Sequence, residues 1–164
     1  MKQVKDIMTE SVLSCGRNET IQSVANHMSK SNIGFVPVVD EQRRVIGIIT
    51  DRDVALAVGR TSKPVERLTA ADVMNVGVHT IGLEERVDKA LELMRKKMVG
   101  RLPVVDSQER LKGVISLMGI TRKLKYSEEA RDMETLGKEN IINTLHAIAE
   151  RNHNRESIEE FMDE

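Results

Sequence analysis

The apolar residues of this chain follow two alternating patterns. Over residues 21–28 aliphatic positions recur at spacings of three and four, which is the buried stripe of an amphipathic helix. The runs VPVVD and VIGIIT that follow are rich in β-branched residues and are separated by a polar segment at residues 41–44, which predicts two adjacent strands. With an extended piece around residues 12–14 and a further helix ending near Gly59, where glycine suits a C-cap, the pattern predicts a β-α-β-β-α unit.

The whole pattern occurs a second time. When Asp6 is aligned with Asp72, an offset of 66 residues, FVPVVDEQRR falls on RLPVVDSQER without a gap, and a second helical stripe appears over residues 87–94. A match of this length indicates an internal duplication. We therefore predict two repeats, residues 1–65 and residues 66–124, in an α/β (α+β) fold whose sheets pack together with pseudo-two-fold symmetry.

The carboxyl-terminal part, residues 125–164, does not repeat. It is polar and rich in acidic residues, but four aliphatic residues recur in it at helical spacing: Ile141, Ile142, Leu145 and Ile148. We predict a helical extension whose apolar stripe packs on a partner, in this chain or in another. Because exposed apolar surface costs about 25 cal/mol per Å², self-association through this stripe or through the helices of the repeats is expected.

Composition narrows the classes of function. The net charge is −1 at pH 7 for 164 residues, so no overall basic field favours nucleic acid. No apolar stretch approaches the ~20 residues that span a bilayer, which predicts no direct membrane insertion. The lone Cys15 cannot form an internal disulfide, and the amino terminus lacks the apolar core of a signal peptide. A cytoplasmic location is the expectation.

The cysteine and the histidines do not form a pattern that is typical of a catalytic or metal-binding site. Cys15 has no recognisable base partner. His146 and His153 are seven residues apart but lack a third ligand at a suitable spacing. We therefore expect neither an enzyme, nor a metal site, nor a required cofactor.

Five short segments resemble the motifs of a known family. They are DIMT at residues 6–9, GFVPVVD, GRLPVVD, GIITDRD and GVISLMG. Together they are similar to tandem cystathionine-β-synthase (CBS) domains, a regulatory pair also called a Bateman module. The resemblance implies the same β-α-β-β-α pair that the periodicity predicts. It also implies a non-catalytic role, in which an adenosine-type ligand regulates an associated enzyme, channel or transporter.

The phrase GIITDRD matches the nucleotide signature of this family. The resemblance assigns Thr50 to a ligand phosphate and Asp53 to the two ribose hydroxyls; a helix amino terminus favours phosphate, and a carboxylate can accept from both hydroxyls. The same spacing is close to a capping box, in which both side chains serve their own helix. The second repeat has Ser116 but Gly119 in place of the acid, which favours the ligand role. The two roles are compatible.

The resemblance also implies further ligand contacts. Arg101 is expected to reach the phosphate, as a basic residue does in the regulatory subunit of the AMP-activated protein kinase; the other interpretation is an exposed arginine at a strand end. Small or apolar groups are expected to line the adenine, with core packing as the competing interpretation for the valines. These residues are Val78, His79, Thr80, Val99 and Gly100. A weaker second site would contain Ser116, Val12, Ile33 and Gly34.

The sequence thus predicts a cytoplasmic, non-catalytic regulatory module that forms a homodimer. Its ligand would be an adenine nucleotide (AMP, ADP or ATP), S-adenosylmethionine or a cyclic dinucleotide. Its signal would pass to an unidentified enzyme or transporter. The alternative is an interaction scaffold whose ligand site has decayed, as Gly119 indicates for one copy.

Overall fold

A computed structural model describes the backbone of residues 2–125 and 138–153. Its elements are, in chain order, α1 Val4–Ile7, β1 Thr9–Glu10, β2 Cys15–Gly16, α2 Ile21–Ser31, β3 Phe35–Val39, β4 Val45–Thr50, α3 Asp51–Arg60, a 3₁₀ turn Val65–Arg67, α4 Ala70–Val73, β5 Ile81–Gly82, α5 Val87–Lys97, β6 Arg101–Val105, β7 Leu111–Ser116, α6 Leu117–Lys125 and α7 Lys138–His153. The predicted pair of β-α-β-β-α repeats is confirmed. Of the predicted extension, residues 125–164, the segments 126–137 and 154–164 lie outside the described residues.

Two element boundaries differ slightly from the sequence pattern. The strand predicted around residues 12–14 is β2, which lies just after them, because Cys15 and Gly16 are the residues that pair with β3. α3 runs through Gly59 and ends at Arg60. The glycine is therefore not the cap of this helix.

Local sequence determines where α2 begins and ends. Thr20 Oγ1 accepts a hydrogen bond from the Ser23 N–H at 3.3 Å, which satisfies a donor of the first turn. The helix ends at Ser31, and the capping residue Asn32 has a φ of 50° and donates its N–H to the carbonyls of Met28 and Ser29. Asparagine adopts this left-handed conformation more readily than most residues.

The chain forms two compact units. The copy-one unit contains Glu10–Thr80 with Val105–Gly113, and the copy-two unit contains Met1–Thr9, Ile81–Val104 and the chain from Val114 onward. The units therefore differ from the sequence repeats at their ends. α1 belongs to the copy-two unit, and α4 belongs to the copy-one unit.

Each exchanged helix is held in the core of its unit. Val4 of α1 is completely buried, and its N–H donates to the Glu85 carbonyl at 2.8 Å. Next to α4, Met74 lies so close to Gly47 that an added Cβ at the glycine would be 2.5 Å from the sulfur. Each repeat thus contributes its first helix to the other unit.

The sheets place two strand ends next to two helix starts. In the copy-one unit the strand order is β2-β3-β4, with β2 parallel and β4 antiparallel to β3. Thr50, which lies opposite Phe35 in this register, is the last residue of β4. α3 begins at the next residue. The other sheet has the order β1-β7-β6-β5, and Ser116 ends β7 before α6.

Each unit has its own hydrophobic core. Ile21, Val24 and Met28 of α2 are buried with strand residues such as Val36, as the helical stripe predicts. The stripe over residues 87–94 is buried in the copy-two core in the same way. Full burial of an aliphatic side chain contributes about 1.5–3 kcal/mol. These stripes therefore fix the helices that flank the strand ends.

α7 packs against α5 in the copy-two unit. Ile141 and Thr144 are buried, and Ile148 lies against the same core. Two of the four residues of the predicted stripe, Ile142 and Leu145, are 61% and 48% exposed. Thr144 is buried instead because its hydroxyl donates to a carbonyl one turn earlier at 2.6 Å. The partner of this helix is thus in the same chain, and a second apolar row remains exposed.

Candidate ligand-binding site

The Thr50–Asp53 pair forms a complete capping box at the start of α3. The Asp53 N–H donates to Thr50 Oγ1 at 3.2 Å, and the Thr50 N–H donates to Asp53 Oδ2 at 2.8 Å. The Thr50 hydroxyl also donates to the same Oδ2 at 2.7 Å. Both residues are half-buried. The capping role that the spacing suggested is therefore present.

The box uses only one oxygen of the Asp53 carboxylate. Among the residues that the structure describes, no hydrogen bond to Asp53 Oδ1 is found. An ionised carboxylate has acceptor sites on both oxygens. Asp53 can thus cap α3 and still accept hydrogen bonds from a ligand through Oδ1.

A second capping box, at the start of α4, provides an internal comparison. The Thr69 N–H and its hydroxyl each donate to Asp72 Oδ2 at 2.9 Å. These two hydrogen bonds, with the nearby Lys63 ammonium, lower the pKa of the Asp72 carboxyl below its usual value of 3.8. This box forms without the preceding GIIT strand. The Thr-x-x-Asp geometry alone is therefore no evidence for a ligand.

The corresponding junction in the second repeat has only half of the box. Ser116 Oγ accepts a hydrogen bond from the Gly119 N–H at 3.0 Å. No carboxylate is present to accept from the backbone at Ser116. α6 nevertheless forms, with Leu117 and Ile120 buried.

The glycines before the two β strands have different surroundings. The Gly34 carbonyl accepts a hydrogen bond from the Asp51 N–H at 3.4 Å, and the Asp51 carboxylate lies across this glycine, so that an added Cβ would be 2.6 Å from Oδ2. The Gly100 carbonyl accepts from the Leu117 N–H at 3.0 Å, and an added Cβ would be 3.8 Å from Ile148 Cδ1. The Asp51 carboxylate therefore covers Gly34, and Ile148 of α7 covers Gly100.

The copy-one unit has an open groove beside Gly34. It has a volume of about 360 Å³ and runs between α2 and α3. Its lining includes Ala25, Ser29, Ile33 and Val54. Two residues predicted for the weaker second site, Ile33 and Gly34, therefore line a groove within this unit.

The sequence pattern missed Asp51 and α7 as neighbours of predicted site residues. Asp51 is exposed, and its Oδ1 accepts from the Arg52 N–H at 2.8 Å. The doubled acid in DRD was the available signal, since the second repeat has Leu117 at the position of Asp51. No local signal placed Ile148 against Gly100.

The remaining chemistry-bearing residues show no reactive arrangement. Burial raises the pKa of the Cys15 thiol to about 11, and the negative charge of Glu19 adds to this effect. Such a thiol is a poor nucleophile at neutral pH.

Over residues 2–125 and 138–153 no cluster of three metal-ligating side chains occurs. In the same ranges no helix has the length and apolar character needed to cross a membrane.

Comparison with known proteins decides the family. The family model for the CBS domain matches residues 4–60 and again residues 70–126. The chain belongs to the CBS domain family. The predicted tandem CBS pair is thereby confirmed.

Similar proteins cover most of this CBS pair. The CBS domain-containing protein YhcV of Bacillus subtilis is 39% identical over 134 residues, which are 79% of this chain and 91% of that protein. A solved CBS domain pair, that of protein MJ0100 in complex with 5′-methylthioadenosine and S-adenosyl-L-methionine, is 30% identical. The match covers 76% of this chain and 97% of that one, with a TM-score of 0.67.

Some similar proteins are enzymes of which this chain matches only a part. Inosine-5′-monophosphate dehydrogenase of Methanocaldococcus jannaschii is 34% identical over 132 residues, which are 80% of this chain. The chain spans a quarter of the length of that enzyme. The similarity therefore describes a CBS pair within a larger protein.

The predicted site residues of this CBS pair are distributed over both units. Thr50 and Asp53 are bonded to each other in the copy-one unit, which also contains Val12 and the half-buried segment 78–80. The copy-two unit contains Ser116, the half-buried Val99 and Gly100, and the exposed Arg101. The ligand roles of all these residues stay predictions.

Proposed function

We propose that this CBS pair is a regulatory module that binds an adenosine-type ligand at the start of α3. The ribose hydroxyls donate to Asp53, and a ligand phosphate lies near Thr50. The observation that carries this proposal is the Asp53 carboxylate, whose Oδ2 completes the capping box while Oδ1 takes no hydrogen bond from the described residues. A half-buried carboxylate with one oxygen left over is suited to a hydroxyl-bearing ligand.

Charge at this junction favours ligands with few phosphates. The first turn of α3 carries two carboxylates, Asp51 and Asp53. They oppose the attraction that a helix amino terminus normally has for anions. We therefore expect adenosine ligands that are neutral, cationic or singly phosphorylated to bind more tightly than ATP.

A similar protein supports the ligand class. The CBS pair of protein MJ0100 was solved with 5′-methylthioadenosine and S-adenosyl-L-methionine, two adenosine derivatives without phosphates. By the same chemistry, ligand binding here would change what this pair presents to an associated enzyme or transporter.

A scaffold without a ligand is the second candidate. The observation that favours it is Gly119, which has replaced the acid at one of the two junctions. A scaffold of this kind would keep the Asp53 box for stability alone.

A thermal-shift panel separates the two candidates. The full chain is melted with AMP, ADP, ATP, 5′-methylthioadenosine, S-adenosylmethionine and a cyclic dinucleotide, with GMP and phosphate as controls. A ligand that binds only the folded state stabilises it by about 2.7 kcal/mol at a hundredfold excess over Kd. We expect a shift that needs both adenine and ribose. Equal shifts with GMP or phosphate, or no shift with any member, would contradict the proposal.

A further inference from the structure

The groove of the copy-one unit has a counterpart that is filled. At the offset of 66 residues, Ala25 corresponds to Leu91 and Val54 corresponds to Ile120. Leu91 and Ile120 are completely buried, whereas Ala25 and Val54 are half-exposed and line an open groove. Among the described residues, the same surface of the repeat is thus covered in one unit and open in the other.

The cover of the copy-two surface is α7. The Thr144 hydroxyl lies 3.5 Å from the Leu91 carbonyl oxygen, and Ile148 reaches Gly100, the counterpart of Gly34 in the open groove. Ile141 is buried in the same core. The repeat surface therefore accepts an amphipathic helix whose contact row has the spacing i, i+3, i+7.

α7 carries a second row with this spacing. Ile142, Leu145 and Ala149 are all exposed and lie beside the buried row on the helix surface. A helix with two neighbouring apolar rows can pack between two surfaces at once. One of these surfaces is the copy-two unit of its own chain.

α3 shows that, within the described residues, no helix covers the copy-one unit as α7 covers the copy-two unit. Half of its ten residues are aliphatic, in the run VALAV, yet none of the ten is buried. Leu56 and Val58 are 37% and 46% exposed. A helix normally buries such residues against a neighbour.

We propose that two copies of this chain associate by placing the exposed row of each α7 in the copy-one groove of the other. α7 suits this groove because it already packs on the equivalent surface of the second repeat. In the proposed dimer the contact is made twice about a twofold axis, and a reciprocal pair of this kind closes without forming a filament. The groove includes Ile33 and Gly34 of the predicted weaker second site, but neither Thr50 nor Asp53 of the proposed ribose site lines it.

The oligomeric state of three variants tests this contact. Ile142→Glu/Leu145→Glu places charge on the exposed row and leaves Ile141, Thr144 and Ile148 unchanged. Ser29→Arg fills the groove from an exposed position on its wall. Met118→Glu is the matched control, because Met118 is 71% exposed and belongs to neither surface.

Analytical ultracentrifugation of the full chains gives the readout. We expect a dimer for the unmodified chain and the control, and at least a tenfold weaker dimer for the other two variants, with melting temperatures confirming that all are folded. Mixing the two defective variants should restore one contact and yield a heterodimer where each alone is monomeric. An unmodified chain that is monomeric at micromolar concentration would overturn the proposal. So would a row variant that still dimerises normally, which indicates groove-to-groove contact, or a mixture without heterodimer.

Discussion

The two strand-to-helix junctions have similar backbones and different side-chain chemistry. Thr50 starts α3 with a complete capping box, whereas Ser116 starts α6 with a hydroxyl alone. Both helices form, so the fold does not require the acid. Asp53 therefore has more hydrogen-bonding capacity than its helix uses, since one of its oxygens is outside the box.

The helices that follow these junctions, α3 and α6, also differ in how many of their residues are buried. α6 buries Leu117 and Ile120, and α3 buries none of its residues. At the first helical position the acidic Asp51 corresponds to the apolar Leu117. The junction that lost its acid has thus become part of a packed core, while the junction that kept it is still accessible.

The largest expected effect is on ligand affinity in Asp53→Ala. If the carboxylate holds the ribose, two charge-assisted hydrogen bonds are lost, each contributing about 1.5–3 kcal/mol, and affinity should fall at least tenfold. The matched control is Asp72→Ala, which removes the same kind of capping box from α4. Both variants should melt at lower temperature, but only the first should lose affinity in calorimetric titration. Equal affinity in the two variants would show that Asp53, like Asp72, only caps its helix and does not bind the ribose.

Arg101→Ala should have a smaller and more selective effect. Arg101 is exposed at the start of β6, and the family resemblance assigns it to a phosphate. Removing a charged partner should therefore weaken AMP binding by several-fold and leave adenosine binding unchanged. Titration with both ligands measures the ratio. A variant that loses both ligands equally, or neither, would show that Arg101 does not contact a phosphate.

Gly119→Asp is the reciprocal change at the second junction. A Cβ at this position would be 2.9 Å from Ser116 Oγ, so the serine hydroxyl must rotate slightly before a capping box can form. Replacing a helical glycine should contribute about 0.5–1 kcal/mol to stability. Gly119→Ala is the control, because it adds the Cβ without the carboxylate. We expect improved ligand binding at this junction only with aspartate; the same titration curve for both variants would contradict this.

The smallest expected effect concerns an aspartate that both repeats have in the turn between two strands, where an arginine donates hydrogen bonds to it. Partial desolvation would raise the pKa of Asp106, but hydrogen bonds from the Arg110 and Gln108 backbone and the Arg110 side chain outweigh it and lower the value to about 2. The pKa of Asp40 is lowered in the equivalent turn by Arg44. A lowered pKa in the folded state gives stability that is present above the usual value of 3.8 and lost as the pH falls toward 2.

Urea unfolding at several pH values between 5 and 2 checks this prediction for Asp40→Asn and Asp106→Asn. Each variant should show a weaker loss of stability with acid than the unmodified chain, and the two should behave alike. Strongly unequal behaviour would indicate that the repeats differ at these turns as well as at the strand-to-helix junctions.

The sequence was sufficient where structure depends on local pattern. The stripe over residues 21–28 and the run VIGIIT are periodic, so the duplication and the fold of each repeat could be predicted. The exchange of α1 and α4 between units could not be predicted, because it depends on contacts distant in sequence, such as that of Met74 with Gly47.

The features of the candidate site that the sequence did not predict also depend on three-dimensional geometry. The spacing of Thr50 and Asp53 predicted both a cap and a ligand contact, but which carboxylate oxygen the cap uses depends on three-dimensional geometry. Thr144 was passed over because it is polar, although its hydroxyl is satisfied inside α7. The covering of Gly100 by Ile148 joins two segments that no shared motif connects.

Calorimetric titration of the unmodified chain with the ligand found in the thermal-shift panel tests the central claim most directly. The claim is that one junction kept its ribose anchor and the other lost it. We predict one tight site per chain, which Asp53→Ala weakens at least tenfold. Two equivalent sites per chain, or a single site whose affinity is unchanged in Asp53→Ala, would contradict it.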